Sequence, residues 1–90
     1  MKNGYMFFYN KIVSSSLSAN AVAVYKSLLN YANRTTWSCF PSVNRIASDT
    51  KLSDRTVRRQ LNLLAKEGYI IKIKRNRENK GCTSNMYFLN

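Results

Sequence analysis

The chain has no histidine, and only four of its ninety residues are acidic. General acid–base catalysis draws mostly on histidine or on paired carboxylates, so the sequence gives no support to an enzyme. The same lack rules out a four-ligand zinc set within one protomer, because Cys39 and Cys82 are the only thiols. Neither cysteine has a Cys-x-x-Cys neighbour or an obvious base partner, which favours two reduced bystanders over a bridge, a ligand or a nucleophile. No cofactor and no metal are expected. No apolar run approaches the roughly 18 residues of a membrane span. The cluster Tyr5-Met-Phe-Phe-Tyr9 is too short for a signal-peptide core and lacks a small-residue cleavage site. The expectation is a cytoplasmic protein, nucleoid- or plasmid-associated, with no membrane partner.

Positive charge is what the chain has in excess. Fifteen Lys and Arg against four Asp and Glu give +11, with a pI near 10.1. Residues 51–80 hold ten basic and three acidic side chains, so +7 of the +11 lies in that third. Charge concentrated in this way implies a polyanionic partner, with nucleic acid first. Ninety residues allow one small domain, which buries only about 60–65% of its unfolded surface, so a homodimer is expected.

The most informative stretch is Ser53 to Gly68. At about 100° per residue, Val57, Leu61, Leu64 and Ala65 share one side of a helix. Arg55, Arg59, Asn62 and Lys66 run down the other side, flanked by Arg58. Ser53 is placed to cap the N-terminus, Asp54 suits its positive end, and Gly68 suits the stop. A helix with an apolar back and an arginine-rich front is read as a DNA recognition helix.

Upstream, the periodicity predicts a helix over about 18–33, capped by Ser18 and stapled by Leu17 and Val22, with Tyr25, Leu28, Leu29 and Ala32 facing the core. Residues 37–40 form a short β-prone piece closed by Pro41. Ser42 then caps a short helix to about Asp49 that buries Val43, Ile46 and Ala47. Thr50, Lys51 and Leu52 must turn the chain before Ser53. Two helices joined so tightly make a helix-turn-helix, although Lys51 stands where glycine is common and needs a left-handed conformation costing on the order of 1 kcal/mol. After Gly68 the period changes: strands over 69–75 and 84–89 flank a basic tip and form a hairpin. Residues 1–16 are expected as an arm or short strand that covers the core or makes a dimer contact.

The order of these elements looks like a winged helix-turn-helix domain over residues 17–90: α+β, three helices, a short first strand and a C-terminal β-hairpin wing. At residue level the chain resembles the small helix-turn-helix domains of plasmid and phage replication proteins from low-GC bacteria. The matching pieces are Leu17-Ser-Ala-Asn-Ala-Val-Ala-Val-Tyr25, Cys39-Phe-Pro-Ser42, Ile46-Ala47, Ser53-x-x-Thr56-Val57, Leu61-x-x-Leu64, Gly68-Tyr-Ile70 and Thr83-Ser-Asn-x-Tyr87, spanning about residues 8–89. The resemblance implies sequence-specific binding of double-stranded DNA by a dimer at repeated or paired half-sites. The biological setting would be transcription regulation, replication, or an accessory role in plasmid transfer.

On that analogy Arg55 and Arg59 face base edges, where a guanidinium donates two hydrogen bonds to guanine, and Asn62 pairs with adenine. Ser53, Thr56, Arg58 and Lys66 belong to the same surface as phosphate contacts, and Ser42 and Arg45 hold the opposite backbone. Lys74, Arg75, Arg77 and Lys80 place the wing on phosphates or in a narrow minor groove. Either the wing or the recognition helix can be the principal reader. The competing reading is a protein-assembly module, motivated by Tyr5, Phe7 and Phe8 as surface aromatics.

Overall fold

A computed structural model describes residues 4–73 and 86–90. The elements in order are α1 (Gly4–Val13), α2 (Ala19–Tyr31), β1 (Ser38–Cys39), α3 (Val43–Thr50), α4 (Asp54–Lys66), β2 (Ile70–Ile73) and β3 (Met86–Leu89). The strands make one antiparallel sheet in the order β1-β3-β2, pairing Ser38 with Phe88 and Ile71 with Phe88 across the central strand. This is the expected α+β winged helix-turn-helix architecture, with one correction: the described residues form four helices, not three.

The additional helix is α1, and it replaces the arm or short strand expected for residues 1–16. Phe8 and Ile12, four residues apart, are buried against the core. Tyr5 and Tyr9 stack at the same spacing with centroids 6.2 Å apart. The period is obscured in the sequence because the outward residues are apolar too: Met6, Phe7 and Val13 are exposed. Phe8 also packs on Trp37, ring centroids 5.1 Å apart, and a Cβ on Gly4 would come within 2.5 Å of the same indole. Glycine is therefore what lets the start of α1 lie against Trp37.

Helix α2 is the spine. Ala21, Val24, Tyr25, Leu28 and Leu29 are fully buried, and the helix packs on α1, α3, α4 and β1. Ser18 caps it, its hydroxyl accepting from the Ala21 N–H at 3.3 Å, and the expected staple residues Leu17 and Val22 are both half-buried against the core. It ends at Tyr31, two residues before the expected Asn33, because the Asn33 side chain accepts from the N–H groups of Thr35 (2.7 Å) and Thr36 (3.2 Å) and starts a turn. Cys39 lies in the core with its thiol donating to the Leu28 carbonyl at 3.6 Å.

The α3–α4 connection is three residues long but one position later than expected: Thr50 ends α3, and Lys51, Leu52 and Ser53 make the turn. Lys51 caps α3 in the left-handed region (φ +62°, ψ +31°), and the N–H groups of Lys51 and Leu52 both point to the Ala47 carbonyl. Leu52 is half-buried in the turn, and Ser53 restarts the chain as the cap of α4. Past α4, Gly68 (φ +86°) turns the chain into β2. Asn90 closes that turn, donating from its side chain to the Gly68 carbonyl at 2.8 Å and from its backbone to Tyr69 at 3.0 Å. The Lys11 ammonium on α1 donates in turn to the Asn90 carbonyl at 2.8 Å. The N-terminal helix thus braces the exit of α4.

Two outcomes follow from this packing. Lys51→Gly removes the left-handed penalty at the turn and is expected to stabilise the domain by up to about 1 kcal/mol, net of glycine's greater freedom when unfolded. That amounts to a melting temperature several degrees higher, while Lys51→Ala gives no gain. Burial pushes the Cys39 thiol from 9.0 up to about 12. The unfolded chain therefore loses this proton first, so the thiol's contribution is complete below about pH 9 and is lost as pH rises toward 12. Urea titrations from pH 8 to 11 should show stability falling less steeply in Cys39→Val than in the parent, by at most about 1.4 kcal/mol per pH unit.

Candidate nucleic-acid interface

Helix α4 is built with two chemically distinct faces. Val57, Leu61 and Leu64 are buried as the periodicity requires, joined by Gln60 rather than by Ala65, which is half-buried. Opposite them Arg55, Arg58, Arg59, Asn62 and Lys66 are all exposed, within a sector of about 100° at 3.6 residues per turn. Among the described residues no carboxylate lies within ion-pair distance of these four cations. Asp54, next in sequence to Arg55, is engaged elsewhere: with its amide nitrogen turned toward α4, Asn44 of α3 donates to both carboxylate oxygens at 2.9 and 3.2 Å. The arginine face is electrostatically uncompensated, and it leads away from the core.

Ser53 and Thr56 are committed to the helix start. The Ser53 hydroxyl accepts from the Thr56 N–H at 3.1 Å and donates to the Thr56 hydroxyl at 3.0 Å. Both stand at the N-terminal edge of the arginine face, where a second role at a phosphate would be added to the cap.

Asn62 carries a bond that the sequence did not reveal. Its side-chain oxygen accepts from the Lys72 ammonium of β2 at 2.8 Å. Paired reading of adenine uses both the oxygen and the nitrogen of an asparagine; this bond takes one of the oxygen's two lone pairs and leaves the other, with the amide N–H groups, for a base. Lys72 thus joins the candidate face of α4, where the sequence reading did not place it. Strand alternation pointed to it, since Ile71 and Ile73 face one way and Lys72 the other, toward α4.

On α3, Ser42 caps the helix by accepting from the Arg45 N–H at 3.1 Å, and Arg45 is exposed with its guanidinium over the Tyr31 ring, 5.9 Å from the centroid. They line an open groove of about 560 Å³ with Tyr31, Asn33, Thr36, Ser38, Cys39, Phe40 and Pro41. Thr36 and Ser38 hydroxyls bond each other there at 2.7 Å. Lys74, Arg75, Arg77 and Lys80 of the expected wing tip lie outside the described residues.

The remaining cations are used differently. Lys11 lies over Tyr69, Lys26 over Tyr9, and Arg34 over Tyr5 and Trp37, at 4.8–5.7 Å from the ring centroids. These contacts spread apolar stems over aromatic surface. Among the described residues no group of acids, cysteines and histidines is placed to hold a metal ion, and no helix is long and apolar enough to cross a membrane.

No curated protein and no solved structure matches the chain significantly. A family described as "Helix-turn-helix domain" matches residues 15–70, which run from the turn before α2 to the first residue of β2 and include the α3–α4 pair whole. With the arginine face of α4 in the position of a DNA-entering second helix, the chain belongs to the helix-turn-helix domain family.

Proposed function

We propose that the protein binds double-stranded DNA sequence-specifically, inserting α4 into the major groove. One observation carries this reading: Arg55, Arg58, Arg59 and Lys66 share an exposed face without an acidic partner among the described residues, whereas Lys11, Lys26 and Arg34 lie on aromatic rings. Arg55 and Arg59, one turn apart, read base edges. Arg58 and Lys66 take phosphates, Ser42 and Arg45 hold the opposite strand, and Lys74, Arg75, Arg77 and Lys80 follow the backbone beyond. Binding, with no catalytic step, is the whole of the activity.

The protein acts as a homodimer on paired half-sites. The cross-strand rows Ile71–Phe88 and Ile73–Met86 form an uncharged sheet face, with Ile71 49% and Ile73 46% exposed, while Lys72 points to the other side, where it meets Asn62 on the exposed face of α4. Two copies of a chain with net charge +11 meet at least electrostatic cost through such a face. The resemblance to plasmid and phage replication proteins supports a mobile-element setting in the cytoplasm. There the site would be an operator, a replication origin or a transfer origin. The protein-assembly alternative loses part of its basis, since Phe8 is buried and Tyr5 is packed against the core, leaving Phe7 as the exposed aromatic of the three.

Selection from a randomised duplex library with excess competitor DNA tests the reading. A motif with two half-sites about 10 base pairs apart, or a multiple of that, is expected. Arg55→Ala and Arg59→Ala should change base preference at defined positions, costing about 1–3 kcal/mol at the affected base pair, whereas Lys66→Ala should weaken all sequences alike. An unenriched library would discard the specific-binder reading. Ile71→Glu should shift sedimentation equilibrium toward the monomer, and an unchanged dimer would move the contact to another surface.

A further inference from the structure

Arg45 and Asp49 stand four residues apart on α3, a spacing at which an arginine and an acid meet on a helix surface. No ion pair forms between them. The Asp49 carboxylate is instead occupied from α2. The Tyr31 hydroxyl donates to its Oδ2, and the Ser27 hydroxyl, one turn back along α2, donates to the same oxygen at 3.5 Å. The Tyr31 ring meanwhile lies under the Arg45 guanidinium, 5.9 Å from centroid to Cζ. One side chain therefore occupies the acid and supports the base.

We propose that Tyr31 is a positioning residue for DNA binding: it holds Asp49 away from Arg45, so that the guanidinium stands unpaired at the groove mouth beside Ser42 and meets a backbone phosphate. The inference rests on the DNA-binding reading above and deepens it. An arginine already paired with its own acid brings little net charge to a phosphate and releases fewer counterions on binding, whereas an unpaired one contributes in full. A flat aromatic face suits the role because it attracts the guanidinium without neutralising it, and the Tyr31 hydroxyl, which also meets Arg45, engages only part of its set of five N–H donors. The bond to Asp49, with burial adding to it and Arg45 opposing, raises the Tyr31 hydroxyl above its ordinary range.

The test is the salt dependence of binding to the selected duplex, measured by fluorescence anisotropy between about 50 and 200 mM salt. Arg45→Gln is expected to make the log–log slope shallower by about 0.9, the value of one phosphate contact. Tyr31→Phe keeps the ring but releases Asp49 to capture Arg45, and should give the same shallower slope. The double variant Tyr31→Phe with Asp49→Asn should recover the parent slope, since no carboxylate remains to capture the arginine. A purely structural bond would do the opposite, leaving the double variant no better than Tyr31→Phe alone. That result would overturn the proposal, as would a parental slope in Tyr31→Phe or in Arg45→Gln; each leaves the DNA-binding reading standing. Absence of salt-dependent binding by the parent protein would remove the DNA-binding reading itself, and the positioning role with it.

Discussion

The burial of Val57, Leu61 and Leu64 against α2 is the constraint on which the functional surface depends. At 3.6 residues per turn, fixing those three side chains fixes the rotation of α4 about its axis, and with it the direction in which Arg55, Arg58 and Arg59 point. At roughly 1.5–3 kcal/mol for each fully buried aliphatic side chain, that stripe outweighs the repulsion among a few exposed arginines. The core therefore holds like charges together on the other side of the same helix. A recognition helix needs both properties, and here one short segment supplies them.

The positive charge is divided by the same logic. Lys11 on α1, Lys26 on α2 and Arg34 just past α2 lie over Tyr69, over Tyr9, and over Tyr5 and Trp37, where their stems add cover to the aromatic surface. Among the described residues, those of α4 have no ring and no acid to rest on. Arg45 lies between the two groups, ring-supported yet exposed at a groove. Composition gives only the sum, +11; the structure shows which cations are spent on packing and which remain available to a polyanion.

Much of this was legible in the sequence because the signals were local. Ser18, Ser42 and Ser53 each cap the helix that follows, and all three side chains accept from the third residue on. The turn at Lys51 and the stop at Gly68 were also local, and both show the positive φ that their positions require. Helix α1 was not legible, because apolar residues on both of its faces conceal a 3.6-residue period; its core face is defined only by where α2 and Trp37 lie. The Lys72–Asn62 and Tyr31–Asp49 contacts join residues on different elements, ten and eighteen positions apart, and no pattern along one element announces them. The Asn62 side chain, expected to read a base, therefore also meets a neighbouring strand in a way the helix pattern alone does not show.

These cross-element contacts bear on how the interface moves as a unit. Lys72 ties β2 to the exposed face of α4, and Asn44 ties α3 to the first turn of α4 through Asp54. Asn90, held by Lys11, closes the turn between α4 and β2. Each end of the recognition helix is therefore attached to a different neighbour: α3 at its start, and the sheet with α1 at its exit. Exposed contacts of this kind contribute little stability singly. Their effect is geometric, because α4 cannot tilt without disturbing bonds at both ends. A surface held in this way has little conformational freedom left to lose on meeting a partner, so that the free energy of contact is not consumed in ordering the helix.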